Sequence, residues 1–212
     1  MLINWYKAIT SSMESILPPE EERFGFKDIF NKLTNYEIEF LQNKYDFKSF
    51  FKPGGEGGAF LDSKTDHVIK ITEEQTEFFN SLKIMNETNY TFFVPIFDVF
   101  KLPESGVYVI EEGKAIPLSE TELEYIKYIH NNMVLKDFSE HIFSPYYPQE
   151  LADQMKYSKR FLFDIDEFFK LFSNYINLLK EISDSGFDYS DTHEDNIGWY
   201  NERLVRFDFG HM

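Results

Sequence analysis

A cluster of glycines divides this chain of 212 residues into two parts with different residue patterns. Four of its ten glycines, Gly54, Gly55, Gly57 and Gly58, fall within five positions directly after Pro53. Glycine adopts backbone conformations that other residues avoid, so this segment is predicted to form a turn and not the interior of a helix. Before the cluster the apolar residues recur at helical spacing, whereas after it short strand-like runs begin.

Residues 1–48 are predicted to form a helical N-terminal extension. Apolar residues recur every three or four positions in its first segment and share one helical face: Leu2, Trp5, Ile9, Met13 and Ile16. Pro18 and Pro19 end that helix, and two further apolar segments cover residues 24–33 and 36–45. The extension either packs on the sheet that follows or presents a docking surface, and the sequence leaves both open.

The rest of the chain changes from strands to helices. Strand-like runs are predicted at residues 59–62, 67–72, 93–101, 107–111, 197–200 and 204–207. Helices are predicted at residues 73–86, from 119 onward, and at 164–183, where an apolar stripe ends before Gly186. Residues 146–157 are ambiguous. A small sheet with one helix, followed by a mainly helical region, predicts an α+β fold.

The composition excludes several classes of site and partner. Aspartate and glutamate number 37 against 21 lysines and arginines, a net charge of −16, so we expect no nucleic-acid partner. The chain has no cysteine, which excludes disulfides and thiolate metal sites, and its five histidines lack metal-ligand spacing. Without a long apolar run or a secretory signal, we expect no membrane partner and a cytoplasmic location, in the cell of origin or in the cytosol of a host.

Lys70 is the first residue that could carry chemistry. It lies in a predicted strand whose alternation places Val68 and Lys70 on one face and Ile69 on the other. A lysine on such a strand is either a solvated edge residue or a cation directed into a cleft. In the second case Glu74 or Glu77, on the following helix, is available as its acidic partner.

Three oxygen-bearing side chains near the end of the sequence form a second candidate site. Asp191 precedes Asn196 by five residues, and Asp208 follows twelve residues later. One such group can orient a hydroxyl while two hold Mg²⁺ against phosphate oxygens. The alternative is a helix-capping loop followed by a turn, since aspartate and asparagine favour both.

The order of these motifs resembles that of the protein-kinase-like superfamily over residues 50–212. The glycine turn, the Val68-x-Lys70 strand, a helix bearing an acid, Asp191-x₄-Asn196 and Asp208-Phe-Gly follow one another as they do in kinases. The resemblance implies a bilobal fold with three parts. These are the helical extension, a small antiparallel-sheet N-lobe at residues 49–112 and a truncated, mainly helical C-lobe at residues 113–212.

The resemblance implies that the N-lobe binds ATP. Lys70 would contact the α- and β-phosphates and pair with Glu77, with Glu74 as the rival partner. Ile110 would lie at the back of the adenine pocket, and the backbone of Glu111 and Gly113 would hydrogen-bond the adenine edge. The implied nucleotide-binding residues are Gly54, Gly55, Gly57, Gly58, Val68, Lys70, Glu77, Ile110, Glu111 and Gly113.

The resemblance also implies that the C-lobe holds Mg²⁺ and the acceptor hydroxyl. Asp191 would orient that hydroxyl and accept its proton, while Asn196 and Asp208 would hold the metal. His193 joins Asp191 and Lys70 as a candidate catalytic residue. Its pattern, Asp-x-His-x-x-Asn, is similar to aminoglycoside and choline kinases and to compact kinase-like proteins of phages and bacterial effectors.

The implied function is transfer of the γ-phosphoryl group of ATP to a hydroxyl, with serine or threonine of a protein as the favoured acceptor. A small-molecule kinase and a pseudokinase that only binds nucleotide or protein are the alternatives. Because the sequence ends two residues after Gly210, we expect no control through an activation loop. The identity of the protein substrate and the oligomeric state stay open.

Overall fold

The computed structural model describes residues 29, 31–54, 57–87, 90–134, 147–157, 164–187 and 192–207. They form a mixed α+β arrangement with antiparallel strands and several helices, as the sequence predicts for the fold class. They fall into two compact units: the first contains the described residues up to Tyr90 with Pro95–Lys114, and the second contains Thr91–Val94 and those from Ala115 onward. The predicted helix over residues 2–16, together with Gly55, Asp191, Asp208 and Gly210, lies outside the described residues.

The first unit is built on a five-stranded antiparallel sheet. Its elements are α1 (Asn35–Lys44), β1 (Phe47–Gly54), β2 (Gly57–Asp62), β3 (Val68–Thr72), α2 (Gln75–Asn86), β4 (Ile96–Lys101) and β5 (Tyr108–Glu112). The strands lie in the order β1-β2-β3-β5-β4, so β3 and β5 are inside the sheet. Strand β1 begins at Phe47, within the predicted helical extension of residues 1–48.

Helix α1 packs on one face of this sheet. Its Leu41 is buried in a core with Ile69 and Ile71 of β3 and Val109 of β5. Because strand side chains alternate between faces, Lys70 lies on the opposite face from these isoleucines. The described part of the predicted extension therefore helps to build the core of the first unit.

The α1 helix is fixed at its start by Glu37. Thr34 and Glu37 form a capping box, in which each side chain accepts a hydrogen bond from the other residue's backbone N–H. The Glu37 carboxylate also accepts the N–H groups of Glu104 and Ser105, both at 2.9 Å, from the turn between β4 and β5. One buried carboxylate thus joins the helix to the sheet.

The prediction of a strand at residues 93–101 is wrong for its first three residues. Strand β4 begins only at Ile96. Pro95, which has no N–H to donate to a sheet, precedes it, and Phe93 instead forms a bridge with Arg206 of the second unit. The apolar run is therefore shared between two packing environments that composition alone does not distinguish.

The second unit combines three helices with a short three-stranded sheet. Its elements are β6 (Ile116–Pro117), α3 (Glu120–Val134), α4 (Tyr147–Tyr157), α5 (Ile165–Asp184), β7 (Ile197–Tyr200) and β8 (Arg203–Arg206). The strands are ordered β6-β7-β8, all antiparallel. Gly198 lies where a side chain would come within 2.7 Å of the Ile116 carbonyl oxygen, so glycine permits β6 to approach β7.

Helix α5 organises the core of the second unit. Asp164 caps its start by accepting the N–H groups of Asp166 and Glu167. Its apolar stripe, predicted from the sequence, is buried: Phe168, Leu171, Phe172, Tyr175, Leu178, Leu179 and Ile182. Gly186 follows the helix with φ +74°, as predicted for a residue that ends it.

None of the described helices combines the length and the apolar character needed to cross a bilayer.

Candidate functional site

Lys70 pairs with Glu77 in the first unit. The Lys70 ammonium, on β3, lies 2.9 Å from Glu77 Oε1 on the first turn of α2. The structure thus pairs Lys70 with Glu77, the partner that the resemblance implies, and places Glu74 at the N-cap of α2. The Lys70 side chain is 15% exposed, so it is not fully buried beside its partner.

Glu112 is a second carboxylate beside the same ammonium, and the sequence analysis missed it. Its Oε1 lies 3.5 Å from Lys70 Nζ, and its side chain is only 2% exposed. Strand register explains the contact, because Val68 pairs with Glu112 and Lys70 with Ile110, which puts both charged groups on one face. The signal was available in the sequence: an acid two residues from Ile110, on the same face of the strand.

Glu111, the neighbouring residue, faces the other side of the sheet. Its carboxylate lies 2.7 Å from Nδ1 of His67, whose ring stacks on Phe97 at 3.9 Å. The Glu111 backbone lies inside the sheet, between Ile69 of β3 and Asp98 of β4. Adjacent glutamates of one strand therefore have different partners on opposite faces.

Gly113, whose backbone the resemblance implies as a contact of the adenine edge, is hydrogen-bonded within the first unit. Its N–H donates to the Pro95 carbonyl at 2.8 Å. Because the Gly113 N–H already has this partner, an adenine ring at this position would use the Gly113 carbonyl. Ile110 is fully buried at the centre of β5.

Three of the predicted glycines lie at the paired ends of β1 and β2. Gly54 pairs with Gly57, and Pro53 pairs with Gly58. On its other edge β2 pairs with β3, with Ala59 opposite Lys70. The glycine-rich end of this hairpin and Lys70 are therefore carried by adjacent strands.

In the second unit the predicted metal ligand Asn196 lies in a compact turn. Its backbone N–H donates to the His193 carbonyl at 3.1 Å, and its carbonyl accepts the Phe207 N–H at 3.0 Å. The second hydrogen bond continues the β7–β8 ladder by one residue pair. Asn196 therefore lies beside the residue that directly precedes Asp208.

His193 is bonded inside the same turn. Its Nε2 lies 3.1 Å from Asn196 Nδ2, and its Nδ1 lies 3.3 Å from the Asp195 backbone nitrogen. A neutral imidazole has one donor and one acceptor nitrogen, so with Nδ1 accepting the Asp195 N–H, Nε2 is the donor that faces the Asn196 amide.

Thr192, which directly follows Asp191, is held by two buried side chains that sequence reasoning missed. The Tyr175 hydroxyl donates to the Thr192 carbonyl at 2.6 Å, and Arg206 Nη1 donates to Thr192 Oγ1 at 3.2 Å. Tyr175, Thr192 and Arg206 are each fully buried. The tyrosine is hidden in the sequence because it continues an apolar helical stripe, which is the pattern of an ordinary core residue.

The predicted site residues are thus only partly covered by the structure. It brings Lys70 and Glu77 together in the first unit, and in the second it joins Asn196 to His193. Asp191, Asp208 and Gly55 lie outside the described residues. Within the described ranges, no group of three or more acidic or histidine side chains could hold a metal ion.

Comparison with known proteins adds no family to this geometry. No protein-family model matches the chain, and no curated protein matches its sequence. The function is therefore inferred from the residues themselves.

Proposed function

We propose that this protein is an ATP- and Mg²⁺-dependent phosphotransferase with a bilobal protein-kinase-like fold. It transfers the γ-phosphoryl group of ATP to a hydroxyl, with serine or threonine of a protein as the acceptor class. The first unit corresponds to the N-lobe in this proposal and the second to a truncated C-lobe.

The Lys70–Glu77 ion pair is the observation that carries the proposal. In protein kinases a strand lysine holds the nucleotide phosphates, and a glutamate on the following helix orients it. Here the pair joins β3 to α2 at 2.9 Å, on a strand whose other charged neighbour is Glu112. A purely structural ion pair gains little from partial burial, because desolvation of both charges offsets their attraction. An ammonium kept partly accessible is better suited to bind an anion.

The construction of the first unit supports the same function. A five-stranded antiparallel sheet with a single helix between β3 and β4 is the arrangement that the proposed N-lobe requires. Its β1–β2 hairpin ends in glycines, which allow main-chain N–H groups to approach phosphate oxygens closely. Those glycines would cover the phosphates while Lys70 contacts them from the neighbouring strand.

The donor atoms of the second unit fit Mg²⁺. This cation prefers carboxylate and amide oxygens, which Asp208 and Asn196 supply. The amide oxygen Oδ1 of Asn196 would be the metal donor, since it has two lone pairs and the amide nitrogen has none to offer. When bound, Mg²⁺ neutralises charge on the phosphate oxygens. Asp191 would orient the acceptor hydroxyl and take its proton as the new phosphate ester forms.

The charge around Lys70 sets a condition on this function. The carboxylates of Glu77 and Glu112 lie 2.9 and 3.5 Å from this ammonium, so nucleotide phosphates would compete with them for it. We expect Glu77 to stay on Lys70 and Glu112 to be the partner that ATP phosphate oxygens displace, because Glu112 is the more distant of the two.

Intact-mass measurement after incubation of the purified protein with Mg-ATP tests the proposal. We expect the mass to increase by whole phosphoryl groups, and the increase to be lost in Asp208→Asn, which removes a metal-binding charge. The matched control is Asp184→Asn, which changes the same residue type at an exposed position at the end of α5. It should react like the wild type.

Three results would contradict this function. Incorporation that persists in Asp208→Asn would mean a contaminating kinase or a wrong metal assignment. Nucleotide binding without transfer to the protein, to a proteome extract or to aminoglycoside and choline acceptors would identify a binding module instead. Transfer to the small acceptors alone would support a phosphotransferase reaction, but its acceptor would be a small molecule and not a protein.

A further inference from the structure

We infer that Tyr175 and Arg206 are positioning residues that hold the Asp191 loop through a shared anchor, Thr192. The inference rests on the proposed function, in which Asp191 orients the acceptor hydroxyl. Neither residue would touch the substrate. Each would act on the reaction by fixing the backbone on which Asp191 and Asp208 are carried.

Tyr175 holds the main chain of the loop. Its hydroxyl donates to the Thr192 carbonyl at 2.6 Å and lies 2.7 Å from His130 Nδ1 on α3. Burial raises the pKa of Tyr175, so the hydroxyl keeps its proton and can donate. Burial lowers the pKa of His130, partly offset by the charge of Glu194. A neutral His130 with its proton on Nδ1 then completes a chain of hydrogen bonds from His130 through Tyr175 to Thr192.

Arg206, fourteen residues later in the sequence, holds the side chain of Thr192. Its guanidinium donates to Thr192 Oγ1 at 3.2 Å, and both residues are fully buried. The Arg206 backbone is fixed as well, since its N–H donates to Phe92 and its carbonyl accepts from Val94. A buried arginine is costly unless its donors are satisfied, and the Thr192 hydroxyl satisfies one of them.

Thr192 joins two segments of the chain whose relative position matters for the proposed reaction. Thr192 is the residue after Asp191, and Arg206 is two residues before Asp208. The Phe207 N–H to Asn196 carbonyl bond adds a third link between the same segments. One residue thus ties the loop of the proton acceptor to the strand that leads to the proposed metal ligand. Displacement of a catalytic group by about 1 Å can reduce turnover roughly 100-fold, so such ties matter for rate.

The protein offers a closely matched control for this role. Tyr125 is also a fully buried tyrosine of the second unit, and its hydroxyl also bonds to the main chain, accepting the Asp164 N–H at 2.9 Å. That bond lies at the start of α5, about three turns before Tyr175 and the Thr192 anchor. Tyr175→Phe and Tyr125→Phe therefore remove the same atom from comparable surroundings, but only the first change acts on the loop.

Two measurements on the full-length variants test the inference. We expect Tyr175→Phe to lower kcat for phosphoryl transfer about 10- to 100-fold, with the Kd for Mg-ATP unchanged. Hydrogen–deuterium exchange in the peptide covering residues 192–196 should become faster. Tyr125→Phe should lower Tm by a similar amount while leaving both kcat and the exchange of that peptide as in the wild type.

Arg206 is tested by Arg206→Lys, which keeps the buried positive charge but removes the planar fork. We expect faster exchange of residues 192–196 and a lower kcat, without loss of Mg-ATP binding. Equal effects of the two tyrosine changes on kcat, or unchanged exchange in Tyr175→Phe, would overturn the inference. If the wild type transfers no phosphoryl group, the proposed function fails. The exchange comparison then decides separately whether Tyr175 and Arg206 hold the loop.

Discussion

Two buried glutamates of the first unit, Glu37 and Glu77, are both satisfied but by different kinds of partner. Glu37 is 1% exposed and accepts hydrogen bonds from the backbone of Thr34, Glu104 and Ser105. Glu77 instead contacts the side-chain ammonium of Lys70. The Glu37 carboxylate is held by main-chain N–H groups, whereas the Glu77 carboxylate pairs with a side-chain cation that can also attract an anion.

Under the proposed function, the difference separates a carboxylate that stabilises the fold from one that orients the lysine of the nucleotide site. Backbone donors cannot leave without unfolding the turn between β4 and β5, so the Glu37 contacts are as permanent as the fold. A side-chain cation can exchange partners within an unchanged backbone. We therefore expect changes at Glu37 to affect mainly stability, and changes around Lys70 to affect mainly nucleotide binding and transfer.

The largest expected effect is that of Lys70→Arg on activity. Arginine keeps the positive charge and so leaves neither Glu77 nor Glu112 without a cation, but its planar fork cannot reproduce a compact ammonium. We expect phosphoryl transfer to fall about 100-fold or more, in the range seen when a charge-stabilising donor is removed, with little change in Tm. The assay is initial-rate transfer from Mg-ATP.

Lys114→Arg is the control for that change. Lys114 forms an ion pair with Asp66 at 3.1 Å on the surface of the same unit. Its rate should equal that of the wild type. If Lys70→Arg retains full activity, or if it unfolds the protein, then Lys70 is a structural residue and the comparison with Glu37 fails.

The next largest expected effect is the loss of stability in Glu37→Gln. The amide carries one oxygen in place of two, so part of the backbone N–H set is left unsatisfied in a buried site. We expect a loss of about 2 kcal/mol in the free energy of unfolding, which corresponds to roughly 4–8 °C in Tm. Glu39→Gln, at an exposed position on the same helix, should leave Tm unchanged.

Lowering the pH should reduce the difference in stability between the wild type and Glu37→Gln. Burial alone would raise the pKa of Glu37, but N–H donors from Ser105, Thr34 and Glu104 outweigh it, and the net pKa lies below 4.5. A lowered folded-state pKa means that the stabilisation is complete above the unfolded-state pKa and is lost as pH falls through the folded value. The Tm gap between wild type and Glu37→Gln should therefore be widest near neutral pH and narrow below about 4.5. A Tm difference that is the same at every pH would show that the negative charge of Glu37 does not stabilise the fold.

The smallest expected effect is tighter nucleotide binding in Glu112→Gln. Removing a carboxylate 3.5 Å from the Lys70 ammonium frees that cation for phosphate. We expect the affinity for Mg-ATP, measured by calorimetry, to rise by about three- to tenfold. Glu111→Gln changes the neighbouring residue on the other face, paired with His67, and should not alter the affinity. Weaker binding in Glu112→Gln would make Glu112 a contact of the nucleotide.

Secondary structure was largely predictable because it follows local periodicity. Strand β7 was predicted with its observed bounds, and α5 within one residue at each end. The stop at Gly186 was predictable for the same reason. The strand predicted at residues 93–101 failed at Pro95, where the main chain leaves one unit for the other, which is a tertiary event.

The candidate site was predictable only where one residue type carries the signal. Lys70 is conspicuous in an apolar strand, and the Asp-x₄-Asn motif is conspicuous in a loop. Glu112 and Tyr175 were missed because each looks ordinary locally. Only strand register gives Glu112 its cation, and only the packing of α5 against the loop gives Tyr175 its carbonyl.

By itself the sequence determined most of the segments that become strands and helices, with β1 and the start of β4 among the exceptions, and which side chains have the chemistry to bind phosphate or metal. Those properties depend on spacing and residue type, which are written along the chain. The tertiary structure decided the pairings: Lys70 with Glu77 and Glu112, Glu37 with the β4–β5 turn, and Thr192 with Tyr175 and Arg206. Partners up to 68 residues apart meet only through packing, since hydrogen bonds and ion pairs act over a few ångströms and have no counterpart in local periodicity.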